Sequence, residues 1–231
     1  SGHQDEAEKY YRLGGEKPPA YCFPFRLESL QVLNRVTEAM PEDDRAYYYL
    51  GNILYYYEQP DEAVAAWEES RKLNPSYAMV HRNLGVAYEQ QESDLKQAIA
   101  SYRKAIAADS SEPRFLAELG RLYEKADVDL STRLALFEEH RDVVEERDDA
   151  MALFTEWLVR TGSYDRAIDI LKDRHFRRWE GGGGIRNIYV DAYLLGGMGR
   201  VESGDYEEAL EDYRQTLKYP DRLEAGRSYN G

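Results

Sequence analysis

Cysteine is almost missing: Cys22 is the single example in 231 residues, so no intrachain disulfide can form and the disulfide-stapled secreted class is excluded. Packing alone must hold the fold. No apolar run approaches the roughly 18 residues that a bilayer-crossing helix needs. The opening Ser1-Gly2-His3-Gln4 lacks the basic-then-apolar order of a signal peptide, and a cytoplasmic location is the expectation. Positive charge is scarce as well. Against 44 Asp and Glu stand 30 Lys and Arg, a formal charge of −14 with no basic patch to interrupt it, so neither nucleic acid nor a membrane surface is an expected partner. The histidines His3, His81, His140 and His175 are scattered without ligand spacing, and Cys22 has no helical neighbour to activate it, so no metal, cofactor or thiol chemistry is expected. Carboxylate pairs such as Glu138-Glu139, Glu145-Glu146 and Asp148-Asp149 alternate with Arg and read as solvated helix faces. No acid, base and nucleophile set can be assembled, and an enzyme is not expected.

What is present is a foldable balance, 42% hydrophobic and 32% charged, far from the signature of disorder. It is organised as an internal repeat of 34 residues. The pattern carries a large residue at position 4, Leu-Gly at 7 and 8, a large residue at 11, Ala at 20, an aromatic at 24 and Pro at 32. Residues 44–77 fill it completely, with Tyr47, Leu50, Gly51, Leu54, Ala63, Trp67 and Pro75. The unit from Ala78 supplies His81, Leu84, Gly85 and Tyr88, then Ala98 and Tyr102 after one extra residue in the turn Glu92-Ser93-Asp94. A third unit from Pro113 keeps Leu116, Leu119, Gly120 and Tyr123, but Thr132 stands where the small Ala belongs. A fourth from Asp148 retains Met151, Phe154, Leu158, Ala167 and Leu171, and a fifth from Val190 retains Tyr193, Gly197, Ala209 and Tyr213. The spacings are 34, 35, 35 and 42.

Positions 8 and 20 lie where the two antiparallel helices of a hairpin cross most closely, so Gly51 against Ala63 and Gly85 against Ala98 let the backbones approach. Gln59-Pro60-Asp61-Glu62, Gly162-Ser163-Tyr164-Asp165 and Gly204-Asp205-Tyr206-Glu207 supply a helix stop followed by an acidic helix start. A hairpin cannot bury its apolar face alone, so neighbours stack, and the expected fold class is an all-α, right-handed superhelical solenoid of about five helix-turn-helix repeats with a concave groove lined by first helices. Upstream, Glu28 to Met40 reads as a lone amphipathic helix with Leu30, Leu33, Val36 and Thr37 on one side. Gly14-Gly15, Pro18-Pro19 and Phe23-Pro24-Phe25 make 1–27 read as an irregular cap, followed by the array over 28–221 (lone helix 28–43) and a tail over 222–231.

These residues resemble the tetratricopeptide-repeat family over about residues 28 to 221, which implies binding of a protein or peptide rather than chemistry. The segments Phe23-Pro24-Phe25-Arg26-Leu27-Glu28, Tyr49-Leu50-Gly51-Asn52, Arg82-Asn83-Leu84-Gly85 and Arg177-Arg178-Trp179-Glu180-Gly181-Gly182 also resemble the repeat region of large bacterial proteins in which a galactose-mutarotase-like domain precedes the repeats. That second resemblance implies a fragment whose partner is its own missing N-terminal domain, or an accessory region of a carbohydrate-active enzyme contacting a glycan.

The resemblance places positions 2, 5, 6, 9, 12 and 13 of each unit on the groove. The resulting candidates for partner binding are Tyr48, Tyr49, Asn52 and Tyr55 in the first unit, Arg82 and Asn83 in the second, and Arg114 and Arg121 in the third. Tyrosines offer flat apolar contact, and arginines can grip a carboxylate through two parallel hydrogen bonds. Family members that clamp a peptide's C-terminal carboxylate match here at Asn52, Asn83 and Arg114, whereas Tyr48 and Glu118 stand where basic residues belong, so a standard clamp is not expected. Trp179 and Glu180, followed by four glycines in the longest connection, are candidates for loop contact with a neighbouring domain. The glycines follow a helix rather than a strand and make no phosphate loop. Only eleven residues follow Pro220, too irregular to read as a capping helix, which predicts either truncation from a longer parent or a homodimer through this uncapped end.

Overall fold

The computed structural model describes residues 2–15, 24–90, 95–177, 184–218, 220 and 223. Among them the secondary structure is entirely helical. The chain forms two compact units, Ser1–Asp109 and Ser110–Gly231.

The first unit contains α1 (Gly2–Gly15), α2 (Leu27–Ala39), α3 (Asp44–Tyr56), α4 (Pro60–Leu73), α5 (Ala78–Gln90) and α6 (Leu95–Ala108). Within the irregular cap expected over 1–27, residues 2–15 form the helix α1 instead. Glu-Ala-Glu-Lys-Tyr-Tyr-Arg-Leu is a run of adequate helix formers, and Gly14-Gly15 falls at its end, terminating the helix rather than preventing it. α2 is the lone amphipathic helix, and its Leu30 and Leu33 pack on Leu50, Ile53 and Ala66 of the first hairpin. Asp43 opens α3 by accepting the backbone N–H groups of Arg45 (3.0 Å) and Ala46 (3.1 Å) on Oδ1. Asp44 then closes the unit on itself. Its carbonyl accepts from Ser70 Oγ and its carboxylate from Asn74 Nδ2, each at 2.7 Å, tying the end of α4 to the start of α3. The close approaches occur at the two glycines. Gly51 faces the Trp67 indole and Gly85 the Tyr102 ring, leaving no room for a Cβ at either position.

The second unit contains α7 (Pro113–Lys125), α8 (Leu130–Glu139), α9 (Arg141–Val144), α10 (Asp148–Arg160), α11 (Tyr164–Asp173), α12 (Ile185–Ser203) and α13 (Tyr206–Thr216). Here one hairpin departs from the repeat. Asp129 caps α8 by accepting the Thr132 N–H at 2.8 Å, so the helix begins one residue later in its unit than α4, α11 and α13, with the same offset as α6, and its inward positions slip by one. The slot expected for a small residue at Thr132 falls to Arg133, and Phe137 fills the aromatic slot against Gly120. An arginine cannot be buried unpartnered. Arg133 Nε donates to the Val128 carbonyl (2.5 Å), and the guanidinium lies 3.7 Å from Glu124, 3.8 Å from Asp127 and over the Trp157 ring. The last hairpin returns to the pattern, with Gly197 against Tyr213. Arg200 on α12 fastens it, donating to Asp212 of α13 (2.7 Å) and Asp165 of α11 (2.6 Å).

Among the described residues, the turn between the helices of a hairpin is the same device four times. The fifteenth residue of the unit has positive φ at Glu58 (58°), Asp127 (49°), Gly162 (78°) and Gly204 (89°). The next residue donates its N–H five residues back, in Gln59 to Leu54, Val128 to Tyr123, Ser163 to Leu158 and Asp205 to Arg200, at 2.8–3.0 Å. This is the left-handed helix ending that satisfies the carbonyls a helix leaves open.

Candidate partner-binding site

In the first unit the six expected contact residues lie on α3 and α5 and divide into two groups. Tyr48 is a correction. It is 5% exposed, inside a cluster with Ala63, Trp67, Val80, Leu84 and Ala87, and the rings of Tyr77 and Tyr49 close over it at 4.9 and 5.2 Å. The repeat register treats position 5 as outward, whereas Tyr77, arriving from the turn before α5, adds a second aromatic layer. Burial pushes the Tyr77 hydroxyl well above its ordinary pKa, with the neighbouring Tyr48 and Tyr49 adding to the effect.

The asparagines are also inward. Asn52 Oδ1 accepts from the Trp67 indole N–H (3.1 Å) and from Asn83 Nδ2 (2.8 Å), and buried Asn83 accepts from Arg82 on its own Oδ1 (3.3 Å). They form a polar strap between α3 and α5 that satisfies buried donors, and a partner's backbone finds Asn52 Oδ1 already doubly engaged. The surface that remains is half-buried Tyr49, Tyr55 and Arg82. Tyr55 leans on Trp67 at 5.3 Å between ring centroids and donates its hydroxyl to Gln90 Oε1. Burial raises the Tyr55 pKa; the positive charge of Arg82 opposes that rise and Glu89 reinforces it, so three charged or polar ends of α5 gather about one phenol.

Arg114 and Arg121 belong to the second unit, and each is engaged there. Arg114 lies 3.7 Å from Glu112, the residue that caps α7. Arg121, half exposed, donates to Asp149 Oδ2 at 3.1 Å, and Arg147 grips the same carboxylate with two bonds of 2.9 Å. Burial opposes ionisation of Asp149, but the hydrogen bonds from Arg147 and Arg121 outweigh it and hold the carboxyl below its ordinary pKa. Trp179 and Glu180 lie outside the described residues, as does Cys22. The sequence reading missed Arg133 with its acidic partners, for which the Asp129-Leu-Ser-Thr capping signal was the available clue. Among the described residues no group of three or more His, Cys, Asp or Glu is placed to hold a metal, and no helix is long and apolar enough to cross a membrane.

Hairpins closed on glycine–aromatic contacts, with polar bonds joining α3 to α5 in the first unit and α7 to α10 in the second, define a helical-repeat protein. Residues 50–113 match the tetratricopeptide repeat family, a stretch containing Asn52, Tyr55, Arg82 and Asn83. Among solved structures, YrrB, described as a tetratricopeptide-repeat protein with an unusual peptide-binding site, is similar over 81% of this chain and 92% of its own, with a TM-score of 0.58 and 19% identity. A double mutant of MamA is aligned over 97% of this chain and 98% of its own, with a TM-score of 0.46 and 16% identity. The YrrB likeness establishes the all-helical repeat fold.

Proposed function

We propose that this chain is a non-catalytic scaffold that holds a peptide or protein segment on the face of α3 and α5. Tetratricopeptide-repeat proteins are generally protein- or peptide-binding scaffolds, and the YrrB structure is described by its peptide-binding site. The observation that carries the reading is the grouping of Tyr49, Tyr55 and Arg82, half buried over an aromatic core, with Tyr55 and Arg82 inside the stretch that matches the family. Partly covered tyrosines supply flat contact area at low entropic cost, and Arg82 supplies the charge against an acidic side chain or carboxylate. Asn52 and Asn83 act beneath this face by fixing its shape.

The test is selection from a random-peptide display library against the whole chain, with affinities of enriched peptides measured for wild type, Tyr55→Ala and Arg82→Glu. Enrichment, weakened by about tenfold or more in both variants at unchanged helicity, is expected for contacts of about 1–2 kcal/mol. Enriched peptides that bind the variants as tightly as wild type would refute this face, and a glycan-array signal without peptide enrichment would favour the carbohydrate-accessory alternative.

A further inference from the structure

The hairpin α12–α13 repeats the register of α3–α4 but leaves its next face open. Counted from Val190 and Asp44, Leu194, Leu195, Val201 and Leu210 take the positions of Tyr48, Tyr49, Tyr55 and Val64. In the first unit those four lie in or against one cluster with Val80, Leu84 and Ala87 of α5, which covers them. Their counterparts in the last hairpin are 36–50% exposed, and Met198 beside them is exposed as well. Large apolar side chains at interface positions, solvent-facing together, mark a surface built to be covered.

The pattern on α13 says by what. Tyr206, Leu210, Tyr213 and Leu217 follow spacings of four, three and four, the seam of a two-stranded coil, and all but half-buried Tyr213 are exposed. Glu207 and Arg214 are both exposed and flank that seam on the side away from Ala209, which is buried. A two-fold axis across the middle of α13 brings Tyr206 over Leu217 of another α13 and Leu210 over Tyr213. The same rotation sets Glu207 against Arg214 twice. A parallel arrangement would instead set Arg214 beside Ala209 of the other copy, a residue already buried. The face is therefore complementary to itself only in the antiparallel sense, the condition for an isologous contact. We propose that two copies of this chain pair through α13, antiparallel, with Leu194, Met198 and Val201 of α12 at the margin of the contact. The intrahelical pair of Arg214 with Glu211, 3.7 Å apart and exposed at both ends, is weak enough to be exchanged for the intermolecular one.

Sedimentation velocity of the full chain over about three decades of micromolar concentration tests this. A species of twice the 26.8 kDa chain mass is expected at the upper end. Leu217→Glu, at a site 79% exposed and so harmless to folding, is expected to leave only monomer with unchanged circular dichroism. Arg214→Glu is expected to raise the dissociation constant about tenfold, and the double change Glu207→Arg with Arg214→Glu to restore it. A monomer at every concentration overturns the proposal, as happens if another segment or protein covers this face. So does a dimer indifferent to Leu217→Glu, or a charge swap that fails to restore pairing.

Discussion

Gly51→Ala is expected to lower the stability of the first unit by about 2 kcal/mol, although alanine is the better helix former. A Cβ at this position would stand 2.5 Å from Trp67 Cδ1 and 2.9 Å from Cε2, where ordinary contact begins at 3.4 Å, so the indole must retreat by nearly an ångström. It has nowhere to go. The ring is 2% exposed, packed among Tyr48, Ala63 and Leu84, and its N–H is directed at Asn52 Oδ1. Displacing a close-packed ring costs about 1–3 kcal/mol, and straining its hydrogen bond adds about 1. The gain in helix propensity returns about 1 kcal/mol. Gly199→Ala is the control with opposite sign, because within α12 an added Cβ there meets nothing within 4 Å, and propensity alone predicts a gain of about 1 kcal/mol. Urea denaturation followed by tryptophan fluorescence and circular dichroism reads both as shifts of midpoint. Equal stability of Gly51→Ala and wild type, or shifts of the same sign in both variants, would refute the claim that glycine is retained here for backbone approach.

Asn52→Ala should cost about 1–2 kcal/mol, since Trp67 keeps the Tyr48 carbonyl at 3.3 Å whereas the buried Asn83 amide loses its acceptor; an unchanged urea midpoint would count against the polar strap. Glu58→Gly should stabilise by about 1 kcal/mol by relieving the left-handed conformation that Gly162 and Gly204 accept freely at the same turn position, checked by the thermal midpoint. Asp149 predicts an acid limb. Its folded pKa is depressed, so its contribution is present above the ordinary carboxylate value of 3.8 and is lost as pH falls through the lower folded value; Asp149→Asn should flatten that part of the stability profile in urea titrations repeated across pH.

What a spacing pattern can reveal depends on how local the deciding interaction is. Close approach at Gly51, Gly85 and Gly197 was legible because both helices belong to one hairpin, where geometry fixes where they cross, but the side chains these glycines meet are Trp67, Tyr102 and Tyr213, where the pattern pointed to Ala63 and Ala98 for the first two. The third hairpin was not, although its cause is equally local: one carboxylate, Asp129, prefers capping to joining the helix, and a one-residue slip exchanges Thr132 for Arg133. The candidate site was less legible still, because its state is decided between hairpins. Tyr48 is closed off by Tyr77, and Asn52 is consumed by Asn83, thirty-one residues away. Arg121 is taken by Asp149 at a separation of twenty-eight. In each case residues that a repeat template assigns to an open groove are used to join one first helix to the next. A stacked array needs such joints wherever two apolar hairpin faces meet, since polar side chains at the seam must be satisfied as it closes. Tyr55 and Arg82 take part in these joints but keep half-exposed side chains, which is why they, rather than buried Tyr48 and Asn83, are the positions where substitution should separate binding from folding.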